Sequence, residues 1–362
     1  MRPGPEPPKG RGSPVNPAGR FEPRSFEPVW DDLESARDEG LAGGVGPATE
    51  LFVDTARTIL TTNDSPDVPF DVSINPYRGC EHGCAYCFAR PSHAYLNLSP
   101  GLDFETKIFF KPDAPRLLER ELAKPGYVCK PIALGTNTDP YQPAERRLRL
   151  TRRILEILSS REHPFGIVTK SALVLRDIDL IGPAAARTQA NVMVSITTLD
   201  PALAGCLEPR AASPGRRLET LRALSAAGIP CGVLASPMIP GLNDHELERI
   251  LEASRVAGAT IAGFILVRLP HEVKEVFTAW LTTNVPNRKE KVLSAIRSTR
   301  GGALYDPRFG ARMRGEGPYA EILARRFAVA TKRLGFARER FALDTSRFRP
   351  VAADSSPRGL FR

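Results

Sequence analysis

Short apolar, β-branched runs recur along the central part of the chain and alternate with stretches whose pattern suits helices. Each run has the length of a buried strand, and the intervening segments are long enough for a crossover helix. The pattern therefore predicts six strands, each followed by a helix. The runs are FDVSINPY (70–77), PIALGTNT (131–138), FGIVTKS (165–171), NVMVSITT (191–198), CGVLASPMI (231–239) and AGFILVRLP (262–270).

The strongest helix signal is PAERRLRLTRRILEIL, residues 143–158. Pro143 suits the first helical position, Glu145 suits the positive N-terminal end, and apolar residues from Leu150 onward share one face. A repeated strand–helix order predicts an α/β protein with either a doubly wound sheet or a parallel barrel. Both architectures place functional side chains at the C-terminal ends of the strands.

The two ends of the chain lack this periodicity. The first thirty residues are rich in Pro, Gly and Arg, which predicts a mostly disordered arm in which only NPAGRFE docks onto the body. The tail from about residue 345 has the same character. We therefore expect an arm and lead-in at 1–60, a catalytic core at 61–300 and a helical extension with a tail at 301–362.

Composition narrows the class of protein. With 42% hydrophobic and 25% charged residues, the 362-residue chain has the balance of a globular protein. A net charge of +9 favours phosphate-rich partners. Without an apolar run of about 18 residues or a signal-like N-terminus, we expect a cytoplasmic protein with no membrane segment.

Six cysteines are too few for a disulfide scaffold in a chain of this length. Three of them are scattered, and we expect each to be a small core residue. The other three form C-x3-C-x2-C within NPYRGCEHGCAYCFARPSH, directly after the first predicted strand. The scattered residues are Cys129, Cys206 and Cys231, and the clustered residues are Cys80, Cys84 and Cys87.

Three interpretations of the cysteine cluster compete. Unrelated thiols on one loop would oxidise readily. Structural zinc needs four ligands, and His82 or His93 would have to supply the fourth. A 4Fe-4S cluster normally takes four thiolates, so three would leave one iron with an open position for a second molecule.

The motif, with Tyr86 before its last cysteine and its place after the first strand, resembles the radical S-adenosylmethionine (radical SAM) superfamily. Further stretches, including SPGLDFETKIFFKP, ALGTNTDPYQPAERRLRLTR and SPMIPGLND, resemble its spore photoproduct lyase-like branch, within a bacterial group sharing the KGRG…NP..RFE opening. The resemblance implies a partial (β/α)6 barrel, a 4Fe-4S cluster, S-adenosylmethionine (SAM) and a flavodoxin- or ferredoxin-type reductant. One electron would then cleave SAM into methionine and a 5'-deoxyadenosyl radical.

The resemblance also assigns SAM contacts. Tyr86 would lie against the adenine, although a packing aromatic explains it equally well. Thr138 and Asp139 match the position that holds the SAM amino group, and a turn-forming role is the alternative for Asp139. Lys170 would pair with the SAM carboxylate, and Ser195 would bind the ribose or carboxylate.

Two departures from the spore photoproduct lyase pattern argue against borrowing its activity. No thiol stands at about Thr136, where the resemblance implies a cysteine hydrogen donor, and Phe88 replaces the usual tyrosine after the last cluster cysteine. The substrate therefore stays open. Repair or modification of a nucleic-acid base by the same chemistry is one alternative, and a non-catalytic zinc-stabilised binding module is another.

Basic side chains supply the only nucleic-acid signal. Arg146, Arg149 and Arg153 follow helical spacing on the predicted helix, and more arginines and lysines lie in the arm. A solvated helix face is the ordinary explanation of such a stripe. The basic residues of the arm are Lys9, Arg11, Arg20 and Arg24.

Overall fold

The computed structural model describes residues 10–21, 47–339 and 341–350. Its strands fall into two sheets. In chain order the strands are β1 (Glu50–Val53), β2 (Leu60–Thr62), β3 (Val72–Ile74), β4 (Tyr77–Arg78), β5 (Lys107–Phe110), β6 (Ile132–Leu134), β7 (Phe165–Thr169), β8 (Ala190–Ser195), β9 (Cys231–Met238) and β10 (Ile261–Leu266).

The larger sheet has the strand order β10-β9-β8-β7-β6-β3-β2. Strands β3 and β6 to β10 run parallel to their neighbours, and β2 joins β3 as an antiparallel hairpin strand. Six consecutive parallel strands with helices between them confirm the predicted partial (β/α)6 barrel. The smaller sheet has the order β1-β5-β4 and carries the segment that leads into the cysteine loop.

Helices cover the outside of the larger sheet and extend beyond its last strand. None of the helices among the described residues has the length and apolarity to cross a bilayer. In chain order the α-helices are α1 (Asp103–Thr106), α2 (Ala114–Leu122), α3 (Glu145–Leu148), α4 (Leu150–Ser160), α5 (Ile178–Ala186), α6 (Pro201–Leu207), α7 (Pro214–Ala226), α8 (Leu247–Val256), α9 (Val273–Asn284), α10 (Lys289–Ser298), α11 (Ala311–Arg314) and α12 (Pro318–Arg333).

The central strands have one fully packed face and one accessible face. Side chains such as Phe165, Ile167 and Val192 are buried in the main core beneath the helices. Their neighbours along the same strands are partly exposed, although these strands lie in the middle of the sheet. The accessible face therefore lines an open barrel interior. Its side chains in β7 and β8 include Val168, Asn191 and Met193.

The open side of the barrel is closed by contacts between distant parts of the chain. Asp67 follows β2 at one edge of the sheet, and Arg312 belongs to the segment beyond β10 at the other edge. Arg312 donates from Nε to Asp67 Oδ2 at 2.5 Å, and the Gly310 amide donates to the other carboxylate oxygen at 2.6 Å. This ion pair joins the C-terminal extension to the first hairpin.

The structure corrects the first predicted strand. FDVSINPY is not one strand, because its central residues pair with β6 whereas Tyr77 pairs with Phe110 of β5 in the other sheet. The change of partner occurs at Asn75 and Pro76. The chain therefore leaves the barrel before it reaches the cysteines.

The predicted helix 143–158 is also two helices. Arg149 has φ 53°, ψ 30°, so α3 ends and α4 begins at this residue. The Glu145 carboxylate accepts hydrogen bonds from the amides of Thr151 at 3.0 Å and Arg152 at 3.3 Å, and so caps α4. The helical spacing assumed for the arginine stripe therefore does not exist.

The N-terminal arm differs from the expectation as well. Residues 11–13 are buried, and the docking that we expected from NPAGRFE begins earlier. Arg11 is only 6% exposed and Arg20 lies 3.2 Å from Glu272, so neither guanidinium is free for phosphate. Lys9 and Arg24 lie outside the described residues, as do the tail residues 351–362.

Candidate functional site at the mouth of the barrel

The three clustered cysteines lie on a tight loop after β4. Successive turns form along it, with Gly83 N donating to Cys80 O and Cys87 N donating to Cys84 O. Gly83 has φ +67°, and a Cβ there would lie 2.8 Å from a carboxylate oxygen of Glu105. Only glycine fits this position, and the Cys80 thiol of this loop lies within electrostatic reach of Cys84 and Cys87.

Burial disfavours the thiolate form of these three cysteines. Cys80 and Cys84 are buried and Cys87 is half-buried. Burial raises the pKa of the Cys80 thiol, and the charges of Asp139 and of the other two cysteines raise it further. Burial likewise raises the pKa of Cys84 and Cys87. Three thiolates can coexist here only with a bound cation, which fits the donor set of an iron–sulfur cluster.

A polar shell that the sequence did not reveal holds the loop in place. The Glu81 amide donates to Gln142 Oε1 at 3.0 Å, and Gln142 Nε2 donates back to Gly79 O at 3.2 Å. The Glu81 carboxylate accepts a hydrogen bond from Thr49 and forms an ion pair with Arg210. The polarity of these residues was visible in the sequence, but their pairing across more than thirty positions was not.

Lys170 and Ser195 meet at the C-terminal ends of β7 and β8, as their predicted roles require. Lys170 Nζ donates to Ser195 Oγ at 2.5 Å and lies 3.4 Å from Glu208 Oε1. Ser195 Oγ donates to Ser236 O at the end of β9 at 3.0 Å. A cation and a hydroxyl thus lie together at the strand ends, which is a suitable pair for binding a carboxylate.

Glu208 is the fully buried centre of this network. Its carboxylate accepts hydrogen bonds from Tyr86 and Thr197 and forms an ion pair with Arg217. Burial alone would raise the pKa of Glu208, but Arg217 and Lys170, with the two hydroxyl donors, hold it far below its usual range. The pairing of Glu208 with Arg217 was not predicted, because residues nine positions apart follow no helix periodicity.

The side chain of Tyr86 is part of the hydrogen-bond network around Glu208. Its hydroxyl lies 3.1 Å from Thr197 Oγ1 and donates to Glu208, and Lys170 Nζ lies 5.9 Å from the ring centroid. Burial, with the charges of Cys84 and Glu208, raises the pKa of the phenol well above 10. The side chain therefore fixes the cysteine loop to the strand ends, which leaves the backbone of Tyr86 for the predicted adenine contact.

Thr138 and Asp139 are already engaged by protein groups. Thr138 Oγ1 donates to Tyr77 O at 3.2 Å. The Asp139 carboxylate accepts from Thr169 Oγ1 and the Lys170 amide, both at 2.7 Å, and lies 3.4 Å from His82. Although burial opposes it, these groups lower the pKa of Asp139, with His82 the largest contributor. The turn-forming role of Asp139 is thus visible, and its SAM contact stays a prediction.

The two positions that depart from spore photoproduct lyase lie near the cysteine loop and the strand ends. Thr136 is hydrogen-bonded to Asn75 at 3.3 Å. Phe88 is 43% exposed, and the guanidinium of Arg268 lies over its ring at 4.8 Å from the centroid. Arg268 Nε is buried without a hydrogen-bond partner among the described residues. The aromatic ring one residue beyond Cys87 therefore stacks with the cationic guanidinium of Arg268.

The two histidines considered for a zinc site both contact protein groups. Within the described ranges, no three His, Cys, Asp or Glu side chains are grouped around a single-ion position. His93 Nε2 is hydrogen-bonded to Lys107 O at 2.9 Å, and His82 faces Asp139.

Of the three scattered cysteines, only Cys231 is a buried core residue as expected. Cys231 is 1% exposed in the main core, whereas Cys129 and Cys206 are half-buried. Cys129 therefore offers a natural comparison for substitutions in the cluster loop.

Comparison with known proteins agrees with this geometry. Residues 74–253 match the family model of the radical SAM superfamily. An uncharacterized protein of Mycobacterium tuberculosis is 39% identical over 221 residues, which cover 60% of this chain and 65% of that protein. An uncharacterized protein of Methanocaldococcus jannaschii is 31% identical over 173 residues, or 48% of this chain and 62% of that protein. The matches thus span slightly less than two thirds of these relatives.

Solved structures with the same fold include spore photoproduct lyase with bound AdoMet and dinucleoside spore photoproduct. That structure has a TM-score of 0.56 and 15% identity, and the match covers 85% of this chain and 93% of that chain. A second complex of spore photoproduct lyase with the dinucleoside gives a TM-score of 0.52 at 17% identity. At such identities the similarity establishes the fold.

Proposed function

Because residues 74–253 belong to the radical SAM superfamily, we propose that this enzyme binds a 4Fe-4S cluster through Cys80, Cys84 and Cys87 and uses SAM to abstract hydrogen from its substrate. The observation that carries the proposal is the position of three thiols, two buried and one half-buried, on one loop beside the Lys170–Ser195 end of the barrel. When bound, the cluster and SAM supply a 5'-deoxyadenosyl radical. The protein binds, orients and shields these groups.

Each predicted residue has a task in this proposal. Lys170 and Ser195 bind the SAM carboxylate, with Glu208 holding the ammonium of Lys170 in position. Tyr86 offers its backbone to the adenine while its hydroxyl anchors the loop. Thr138 and Asp139 shape the turn that receives the SAM amino group. The electron comes from a flavodoxin- or ferredoxin-type protein, and the free thiols fit a reducing compartment such as the cytoplasm.

Anaerobic reconstitution tests this function. Protein loaded with iron and sulfide is expected to be brown with about four irons per chain. With dithionite and SAM it should release methionine and 5'-deoxyadenosine. Cys84→Ala should lose the cluster, whereas Cys129→Ala should keep it. Stoichiometric zinc without iron uptake, or no SAM cleavage by fully loaded protein, would refute the proposal.

A nucleic-acid base is the second candidate substrate, and one observation favours it. The exposed Phe88 ring and the Arg268 guanidinium are groups that stack on bases and bind phosphates. Thymine-dimer repair is not proposed, because Thr136 has no thiol and Phe88 has no hydroxyl. DNA or RNA binding should weaken steeply with salt and fall in Arg268→Met but not in Arg153→Met. If nucleic-acid binding changes neither with the salt concentration nor in Arg268→Met, this candidate is excluded.

A further inference from the structure

We propose that residues 11–17, here named the N-terminal clamp, are an integral part of the cluster site and set the air stability and reduction potential of the cluster. This inference rests on the proposed cluster. The clamp does so by holding the cysteine loop from outside through a buried carboxylate, Glu105. It comes from a part of the chain almost seventy residues before the first cluster cysteine.

The first contact is between two glycines. A Cβ on Gly12 would lie 1.6 Å from the carbonyl oxygen of Gly83, in the middle of the cysteine loop. On the other side, Gly83 has no space for a side chain because Glu105 and the Gly12 amide lie against it. Backbone packs directly on backbone here, so the clamp covers the loop without a gap for water.

The second contact links the clamp to a cluster ligand. The Glu105 carboxylate is fully buried and accepts hydrogen bonds from the amides of Gly12 at 2.9 Å and Ser13 at 2.8 Å. The same carboxylate pairs with Arg90 at 2.5 Å, and Arg90 Nε donates to the carbonyl of Cys84 at 2.9 Å. One chain of hydrogen bonds thus runs from the clamp to the middle cysteine.

The remaining contacts fix the clamp in one register. Asn16 Oδ1 accepts from the amide of Leu102 at 2.8 Å, and Ser99 Oγ donates to Pro17 O at 2.6 Å. A Cβ on Gly101 would lie 2.2 Å from Val15 O, so the groove admits only this backbone path. A segment merely resting on the surface would not need such a fit.

Displacing the clamp has a definite physical consequence. Glu105 would lose two of its donors while Arg90 still holds it, so the loop would loosen and water would reach the cluster. Hydrogen bonding and solvent exposure around the sulfurs set cluster potentials. Water stabilises the added negative charge of the reduced cluster, so the potential should rise, and oxygen should bleach the cluster severalfold faster.

Gly12→Ala and Gly19→Ala form a matched pair for the test. The added methyl clashes at Gly12, whereas at Gly19 its nearest neighbours lie at an ordinary 3.4 Å. Ser13→Pro is a second variant, since it removes the amide donated to Glu105 without a side chain at the glycine contact. Circular dichroism and thermal unfolding verify that each variant folds.

Hydrogen exchange of the cluster-free proteins and the redox properties of the reconstituted proteins test the proposed role of the clamp. In the cluster-free proteins, hydrogen exchange of residues 79–90 should accelerate in Gly12→Ala and Ser13→Pro and stay unchanged in Gly19→Ala. In the reconstituted proteins, the first two variants should show a higher midpoint potential, an altered electron paramagnetic resonance signal and faster bleaching in air.

Wild-type exchange that shows residues 11–17 unprotected would overturn the proposal. So would potentials and bleaching rates that match wild type in a variant whose loop exchange is accelerated. If the wild-type chain takes up no cluster, the proposed function fails, while the exchange experiment still reports on the clamp.

Discussion

The ammonium of Lys170 donates to the hydroxyl of Ser195 across 2.5 Å, joining the ends of two neighbouring barrel strands. In the proposed function this pair receives the SAM carboxylate. Lys170→Met should therefore raise the SAM dissociation constant at least about tenfold, which corresponds to about 1.4 kcal/mol. Equilibrium dialysis with reconstituted protein measures the affinity, and the iron content should not change.

Lys130→Met is the control for this substitution, because Lys130 makes a surface ion pair with Asp71 at the N-terminal ends of β6 and β3, opposite to the end that carries Lys170. Unchanged SAM affinity in Lys170→Met would restrict Lys170 to the Glu208 network and remove it from the binding site.

Glu208 gives a stability prediction. Glu208→Gln leaves Arg217 and Lys170 without their buried counter-charge, which should cost about 3–5 kcal/mol of unfolding free energy. Urea unfolding measures it. The matched control is Glu219→Gln, which breaks only an exposed ion pair with Arg216 and should cost less than about 1 kcal/mol.

The lowered pKa of Glu208 also predicts how the free energy of unfolding depends on pH in acid. Its pKa is lower in the folded state than in the unfolded state, so its contribution is present above the unfolded value of 4.5 and is lost as the pH falls below it. The stability of Glu208→Gln should therefore depend less on pH below about 4.5. Parallel pH profiles for wild type and variant would show that Glu208 carries no such linkage.

His163 should make the protein sensitive to milder acid. It is 1% exposed, it lies 2.8 Å from the Tyr127 hydroxyl, and burial lowers its pKa to about 4. The neutral ring is favoured by folding, so this stability is full above pH 6.5 and is lost as the pH falls toward 4. The loss should be about 3 kcal/mol.

His163→Gln should make the unfolding free energy depend less on pH between these values. Buried His93, whose pKa burial also lowers to about 4, keeps its own contribution. The exposed His245 provides the control, and His245→Gln should keep the wild-type slope. If both variants keep that slope, the acid sensitivity comes from other groups.

Arg149 offers a test of the corrected helix boundary. Because it has a left-handed backbone, Arg149→Gly should stabilise the protein by about 0.5–1 kcal/mol. Arg153→Gly lies inside α4 and should destabilise it by about 1 kcal/mol. Opposite signs in urea unfolding support the break, whereas destabilisation by both would indicate one continuous helix.

The sequence predicted those strands and loops that follow from a local pattern of residues. Runs such as FGIVTKS are buried strands, and the cysteine spacing identified the loop. The break at Arg149 was not predictable, because the capping carboxylate of Glu145 acts only once both helices are packed. The contact between Gly12 and Glu105 was likewise not predictable, since the two residues lie more than ninety positions apart in the sequence.

The Asp67–Arg312 ion pair joins residues 245 positions apart, whereas the clamp, Arg90 and Glu105 all lie before residue 106. During synthesis the N-terminal part of a chain emerges first, and distant contacts wait for the rest. The clamp and its contacts to the cysteine loop are therefore available early, and the barrel is sealed only after residue 312 has left the ribosome. If the cysteine loop holds the proposed cluster, delivery of iron and sealing of the barrel are separate events in the life of the protein.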